Sequence, residues 1–118
     1  MLNERGIGMR IVTRPDFDGV VCAVLLFDAE KITAPVKWVE PSEIQKNQIK
    51  ISEGDILANL PYDENCSMWF DHHCTNEVLK PFRGAYKIAP SAAGLIYEYY
   101  DRKFSRDYGE LVEQTDKI

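Results

Sequence analysis

The chain of 118 residues has no apolar run near the length that a membrane helix needs. Its first ten residues, MLNERGIGMR, are mixed and polar, without a basic-then-apolar leader. The default expectation is a cytoplasmic protein with no membrane partner. Cysteine is sparse and odd in number (Cys22, Cys66, Cys74), which argues against a disulfide framework. Basic charge is also short. Lys and Arg number 14 against 19 Asp and Glu, leaving a net charge of −5 that excludes a broad nucleic-acid surface. There is no internal repeat and no low-complexity tract. A chain of this length buries one core, so a single domain is expected.

Histidine is scarce, with two copies. Both copies sit side by side in MWFDHHCTN (Met68 to Asn76), directly behind an aspartate and before a cysteine. A hydrophobic core rarely takes adjacent imidazoles, because each brings nitrogens that need partners. Metals and phosphates want such groups.

The rest of the chain places that stretch. GMRIVT (Gly8 to Thr13) reads as a strand, and RPDFDG (Arg14 to Gly19) as a loop. VVCAVLLFDAEK (Val20 to Lys31) is apolar on nearly every side until Asp28, the mark of a buried helix; its β-branched start leaves a strand as the alternative. Strands are expected at Val36 to Val39, before the turn-like EPS, then at Asp55 to Leu60 and Cys66 to Phe70. Ile44 to Ser52 is ambiguous. KPFRGAYK (Lys80 to Lys87) reads as a basic loop, with Arg83 a candidate for an anionic ligand. Ser91 starts a helix through Tyr100, and Tyr108, Leu111, Val112 and Thr115 space a last one within Arg106 to Ile118. This order predicts an α/β fold: a mostly parallel open sheet with helices on both faces.

In such a sheet the ligand crevice lies beyond the carboxyl ends of the strands. Asp16 and Asp18 follow the first strand, Asn59 ends the third, and Asp71, His72 and His73 end the fourth, so all converge on one edge. A D-x-D-G alone is most simply a turn. Here its paired carboxylates suit a hard divalent cation, and mixed carboxylate and imidazole ligation suits Mn²⁺, or Zn²⁺ and Fe²⁺ with less preference. Gly19 lets the chain turn into the helix, whose amino end favours an anion. A zinc site of Cys66, His72, His73 and Cys74 lacks C-x₂-C spacing. Cys74 is a poor nucleophile beside His73, since neighbours on an extended chain point in opposite directions. Cys22, the tryptophans and Tyr97 to Tyr100 are read as core and helix-face residues.

With IVTRPDFDGVVCA, DILANLP, DHH, PSAAGLIYE and the closing TDKI in this order, the chain resembles the DHH phosphoesterase superfamily across almost its whole length. In detail it looks closest to the exopolyphosphatase-related branch. The resemblance implies a two-metal site, usually Mn²⁺, that activates water against phosphoester or phosphoanhydride bonds. Carried over, Asp16 binds one metal, while Asp18, His72 and Asp116 bind the other. His73 contacts the substrate phosphate, and Asp71 orients the imidazoles. The substrate is a small phosphorylated molecule: polyphosphate, a nucleotide or a short oligonucleotide. The resemblance also implies a C-terminal substrate-binding domain, so residues 1–118 are read as a truncated N-terminal DHH-type domain.

Two positions depart from that pattern. Arg14 stands where a metal-binding histidine is usual, and a guanidinium repels a cation. Asn59 replaces a carboxylate that bridges both metals. The expectation is therefore one well-held ion on Asp18, His72 and Asp116, with Asn59 a further candidate, and Arg14 clamping a phosphate oxygen. The same two residues favour the alternative, a non-catalytic metal- or nucleotide-binding module.

Overall fold

The computed structural model describes Leu2 and residues 8 to 118. Short apolar runs form the strands β1 (Arg10–Thr13), β2 (Lys37–Trp38), β3 (Asp55–Ala58), β4 (Met68–Asp71) and β5 (Gly84–Tyr86). The helices are α1 (Phe17–Glu30), α2 (Pro41–Gln45), α3 (Ala92–Tyr99) and α4 (Gly109–Asp116). All five strands are parallel, in the order β2-β1-β3-β4-β5. The α/β class read from the sequence holds.

Parallel strands are covered on both faces, so their sequences run continuously apolar and the pleat sorts them into two cores. Ile11, Ile56, Ala58, Met68 and Phe70 face α1, α3 and α4, meeting Val21, Leu25, Leu26, Ala92, Ile96 and Val112. Val12, Leu57 and Trp69 point the other way, onto Val39, Ile44, Ile51 and Leu60. The register agrees, pairing Ile11 with Ile56 and Leu57 with Trp69. Helices thus lie on both faces, three longer ones on the first and the short α2 on the second. The run from Val20 is helix, not strand, and no described helix is long and apolar enough to cross a membrane.

Two elements escaped the sequence. The EPS read as a turn opens α2, where Glu40 and Glu43 form a reciprocal capping box and Pro41 occupies the first turn. Five residues are too few to show helical periodicity. The basic loop contains β5, whose three residues carry no alternation.

The strand order places the site. From β1 the chain crosses by α1 to β2 on one side, whereas β3, β4 and β5 advance on the other. The change of direction falls between β1 and β3, where an open α/β sheet leaves its crevice. Arg14 and Asn59, the two departures, follow the ends of those strands.

Gly84 makes the β4–β5 pairing possible. Its φ is +130°, and a β-carbon there would lie 2.0 Å from the Trp69 carbonyl oxygen. Gly84→Ala is expected to cost on the order of 2–4 kcal/mol, read as a lower urea midpoint. An unchanged midpoint would show that the edge strand tolerates a side chain there.

Candidate functional site

Both aspartates of the first loop are held by backbone. Asp16 is the N-cap of α1, and its Oδ1 accepts the Gly19 N–H at 2.8 Å. A β-carbon on Gly19 would lie 1.8 Å from the Arg14 carbonyl oxygen, so glycine is required at this turn. Asn59 Nδ2 donates to Asp16 Oδ1 at 3.0 Å, and Arg14 Nε lies 3.4 Å from Asp16 Oδ2. Glu40 flanks the same guanidinium nitrogen at 3.9 Å. Asp18 is fixed from the opposite side. Its two oxygens accept the Ala92 and Ala93 N–H groups at the amino end of α3, each at 2.9 Å.

The histidines are oriented by two different acceptors. His72 Nδ1 lies 2.9 Å from the Ala89 carbonyl oxygen, which can only accept, so Nδ1 carries the proton. His72 Nε2 then faces Asp18 Oδ2 at 3.3 Å. Two lone pairs in that arrangement repel unless a proton or a cation lies between them. His73 Nδ1–H donates to Asp71 Oδ1 at 2.7 Å, and Asn76 Nδ2 donates to Asp71 Oδ2 at 2.8 Å. Asp71 is wholly buried, so these bonds replace its water. Tyr86, stacked on Trp69, donates its hydroxyl to the His73 carbonyl oxygen at 2.6 Å.

Asp16, Asp18, Asn59, His72 and His73 line one cavity of about 260 Å³ at the carboxyl edge of the sheet. The sequence brought these five together, and Arg14 stands on an adjoining cavity of about 170 Å³ that shares Asn59 and His73. A larger open depression of about 960 Å³ lies between the loops that precede β3 and β4 and contains none of these groups.

The structure places three of the expected residues differently. Asp116 does not line the carboxylate cavity: the Ser91 hydroxyl donates to it, and it faces a neighbouring hollow with Lys87 and Gly94. Thr115 and Ile118 reach the site instead. Arg83 precedes β5, at the far end of the sheet from the site, where its charge acts on the Tyr100 hydroxyl. The basic residue beyond the carboxyl end of β5 is Lys87. Asp71 orients His73 alone, since a carbonyl holds His72. The Ala89 carbonyl and the α3 amides carry no side-chain signal, whereas Asn76, three residues after His73, was open to reading.

Among the described residues, no three His, Cys, Asp or Glu side chains form a ready-made metal cage. The donor chemistry nonetheless fits one divalent cation. Asp18 offers a carboxylate, His72 a bare Nε2, and Asn59 a buried Oδ1 without any hydrogen-bond partner. Asp16, by contrast, already accepts the Asn59 amide and lies 3.4 Å from the Arg14 guanidinium.

No family model matches the chain, and no curated protein does either. Over 92% of its length it matches the solved structure of a pGpG-specific phosphodiesterase, PggH from Vibrio cholerae, at 39% identity and a TM-score of 0.75. The chain is similar to a phosphodiesterase. It spans 36% of that protein's chain. The likeness gives no support to the exopolyphosphatase-related branch.

None of the cysteines lines the cavity, although the Cys22 sulfur lies 3.7 Å from Asp18 Oδ1. Burial pushes the Cys66 thiol up to about 12 and the Cys22 thiol well above its ordinary value, whereas Cys74 is exposed. Since the thiolate is the nucleophile, Ellman's reagent at neutral pH is expected to titrate one thiol quickly in the native protein and the other two only after denaturation. A second fast thiol would show that the sheet opens at Cys66.

Proposed function

We propose that this domain belongs to a metal-dependent phosphoesterase that hydrolyses the phosphodiester of a short, phosphorylated guanine dinucleotide. The observation that carries this reading is the pairing of Asp18 with His72 Nε2 inside a cavity of carboxylates and imidazoles. The likeness to the pGpG-specific enzyme supplies the substrate class. A cytoplasmic setting belongs to the same proposal, since free thiols and a nucleotide substrate suit a reducing interior.

Asp18, His72 and the Asn59 carbonyl oxygen would hold one Mn²⁺, which when bound lowers the pKa of water and screens phosphoryl charge. The protein's own groups do the positioning. The Ala89 carbonyl keeps the His72 proton on Nδ1, so that Nε2 stays available on the side of Asp18. Asp71 keeps a proton on His73 Nδ1 and fixes that ring at the cavity wall, where Nε2 of the doubly protonated imidazolium would donate to a phosphoryl oxygen. Arg14 adds a positive guanidinium beside the position where a second cation would lie. A second reading, a binding module without turnover, draws on that same Arg14–Asp16–Asn59 tie.

After Mn²⁺ loading, elemental analysis is expected to find one ion per chain, lost in His72→Ala, while circular dichroism shows that variant folded. With Mn²⁺ the native protein is expected to cleave pGpG, and His72→Ala to lose about a hundredfold or more in rate. One bound ion without cleavage would favour the binding module. Two ions per chain would show that Arg14 leaves the Asp16 side open.

A further inference from the structure

The carboxyl edge of the sheet holds two adjoining cavities, and their linings differ in charge. The first carries Asp16 and Asp18 and suits a cation. The second carries Arg14, Gln45, Thr75 and Asn76 and has no carboxylate in its lining; Asn59 and His73 form the wall between them. The two carboxylates nearest Arg14, those of Asp16 and Glu40, both approach its Nε. The terminal guanidinium nitrogens are left as the open end of the fork. Asn76 uses one amide hydrogen on Asp71 and keeps a second, and Thr75 and Gln45 add neutral donors. A lining of one guanidinium and several neutral donors, with Asp16 and Glu40 approaching only its Nε side, suits a phosphate group. At about 170 Å³ the hollow is small for a whole nucleoside, below the roughly 300–1,000 Å³ of ordinary ligand pockets.

From this division we infer that the Arg14 cavity is a subsite for the terminal phosphomonoester of the substrate, one nucleotide away from the bond that is cleaved. The inference rests on the proposed phosphodiesterase reading and deepens it, making Arg14 a specificity-determining residue. His73 then lies between two phosphates, the scissile one in the carboxylate cavity and the terminal one beside Arg14. A dinucleotide without its terminal phosphate leaves the fork unpaired and should bind less well.

The experiment compares pGpG with GpG, which lacks only that phosphate. Calorimetric titrations in EDTA read binding apart from any metal, and turnover of both compounds is followed with Mn²⁺. The native protein is expected to bind pGpG about tenfold or more tightly than GpG. Arg14→Met should lose that preference, and Arg14→Lys should keep part of it, as a point charge without the fork. Equal binding of the two compounds by the native protein would overturn the inference, and so would a preference that survives Arg14→Met. If Arg14→Met does not fold, Thr75→Val with Gln45→Leu tests the same cavity without touching Asp16, and an undiminished preference there has the same meaning. Cleavage of both compounds at equal efficiency would reject the subsite and leave the phosphodiesterase reading standing. No binding and no cleavage of either would reject that reading, and the subsite with it.

Discussion

The carboxylate of Asp18 ties the two halves of the structure together. It leaves the first turn of α1 and accepts two N–H groups from the amino end of α3, 74 and 75 residues further along the chain. Hydrogen bonds to an ionised group contribute roughly 1.5–3 kcal/mol each, more than neutral ones. The positive ends of two helices also share this one negative charge. Cys22 approaches the same carboxylate from below, with its sulfur 3.7 Å from Oδ1. Whatever binds at Asp18 therefore acts on both helix ends at once. His72 meets a carboxylate whose position is already set.

The two adjacent imidazoles show how position in the fold divides like residues. They are neighbours in sequence, and their ring centres are 4.4 Å apart. One is held by a neutral carbonyl and the other by a buried carboxylate, yet both are held at Nδ1. Each acceptor therefore leaves Nε2 as the working nitrogen. The first faces an anion and is suited to share a cation with it. The second sits on the wall common to both cavities, with Asp71 behind it and Asn76 behind Asp71.

Much of this was legible in the sequence because strand ends and polar residues coincide. The runs read as ending at Thr13, Leu60 and Phe70 are apolar enough to mark buried strands, so Asp16, Asn59 and His72 were expected at one edge. Ser91 was legible as a helix start because hydroxyl caps are local chemistry, and its oxygen accepts the Gly94 N–H. What failed was either short or mediated by backbone. α2 and β5 are too brief for a period to emerge. Arg83 was placed by charge alone, without a strand to say which end of the sheet it occupied. Asp116 was placed by motif order, which gives no direction for the side chain at the end of a helix. Its hydrogen bond to Ser91 is a tertiary contact between residues 25 apart.

The two edges of the sheet have a consequence for the molecule's company. β2 is two residues long, carrying an exposed Lys37 and Trp38, and β5 is three residues long with a glycine at its start. Unpaired edge strands are templates for a neighbouring chain, and brevity and charge are the usual defences against that. Continuous sheets across molecules, and the aggregates that grow from them, find little purchase here. Association through the described sheet edges is thereby disfavoured, and side-chain surfaces are left for it.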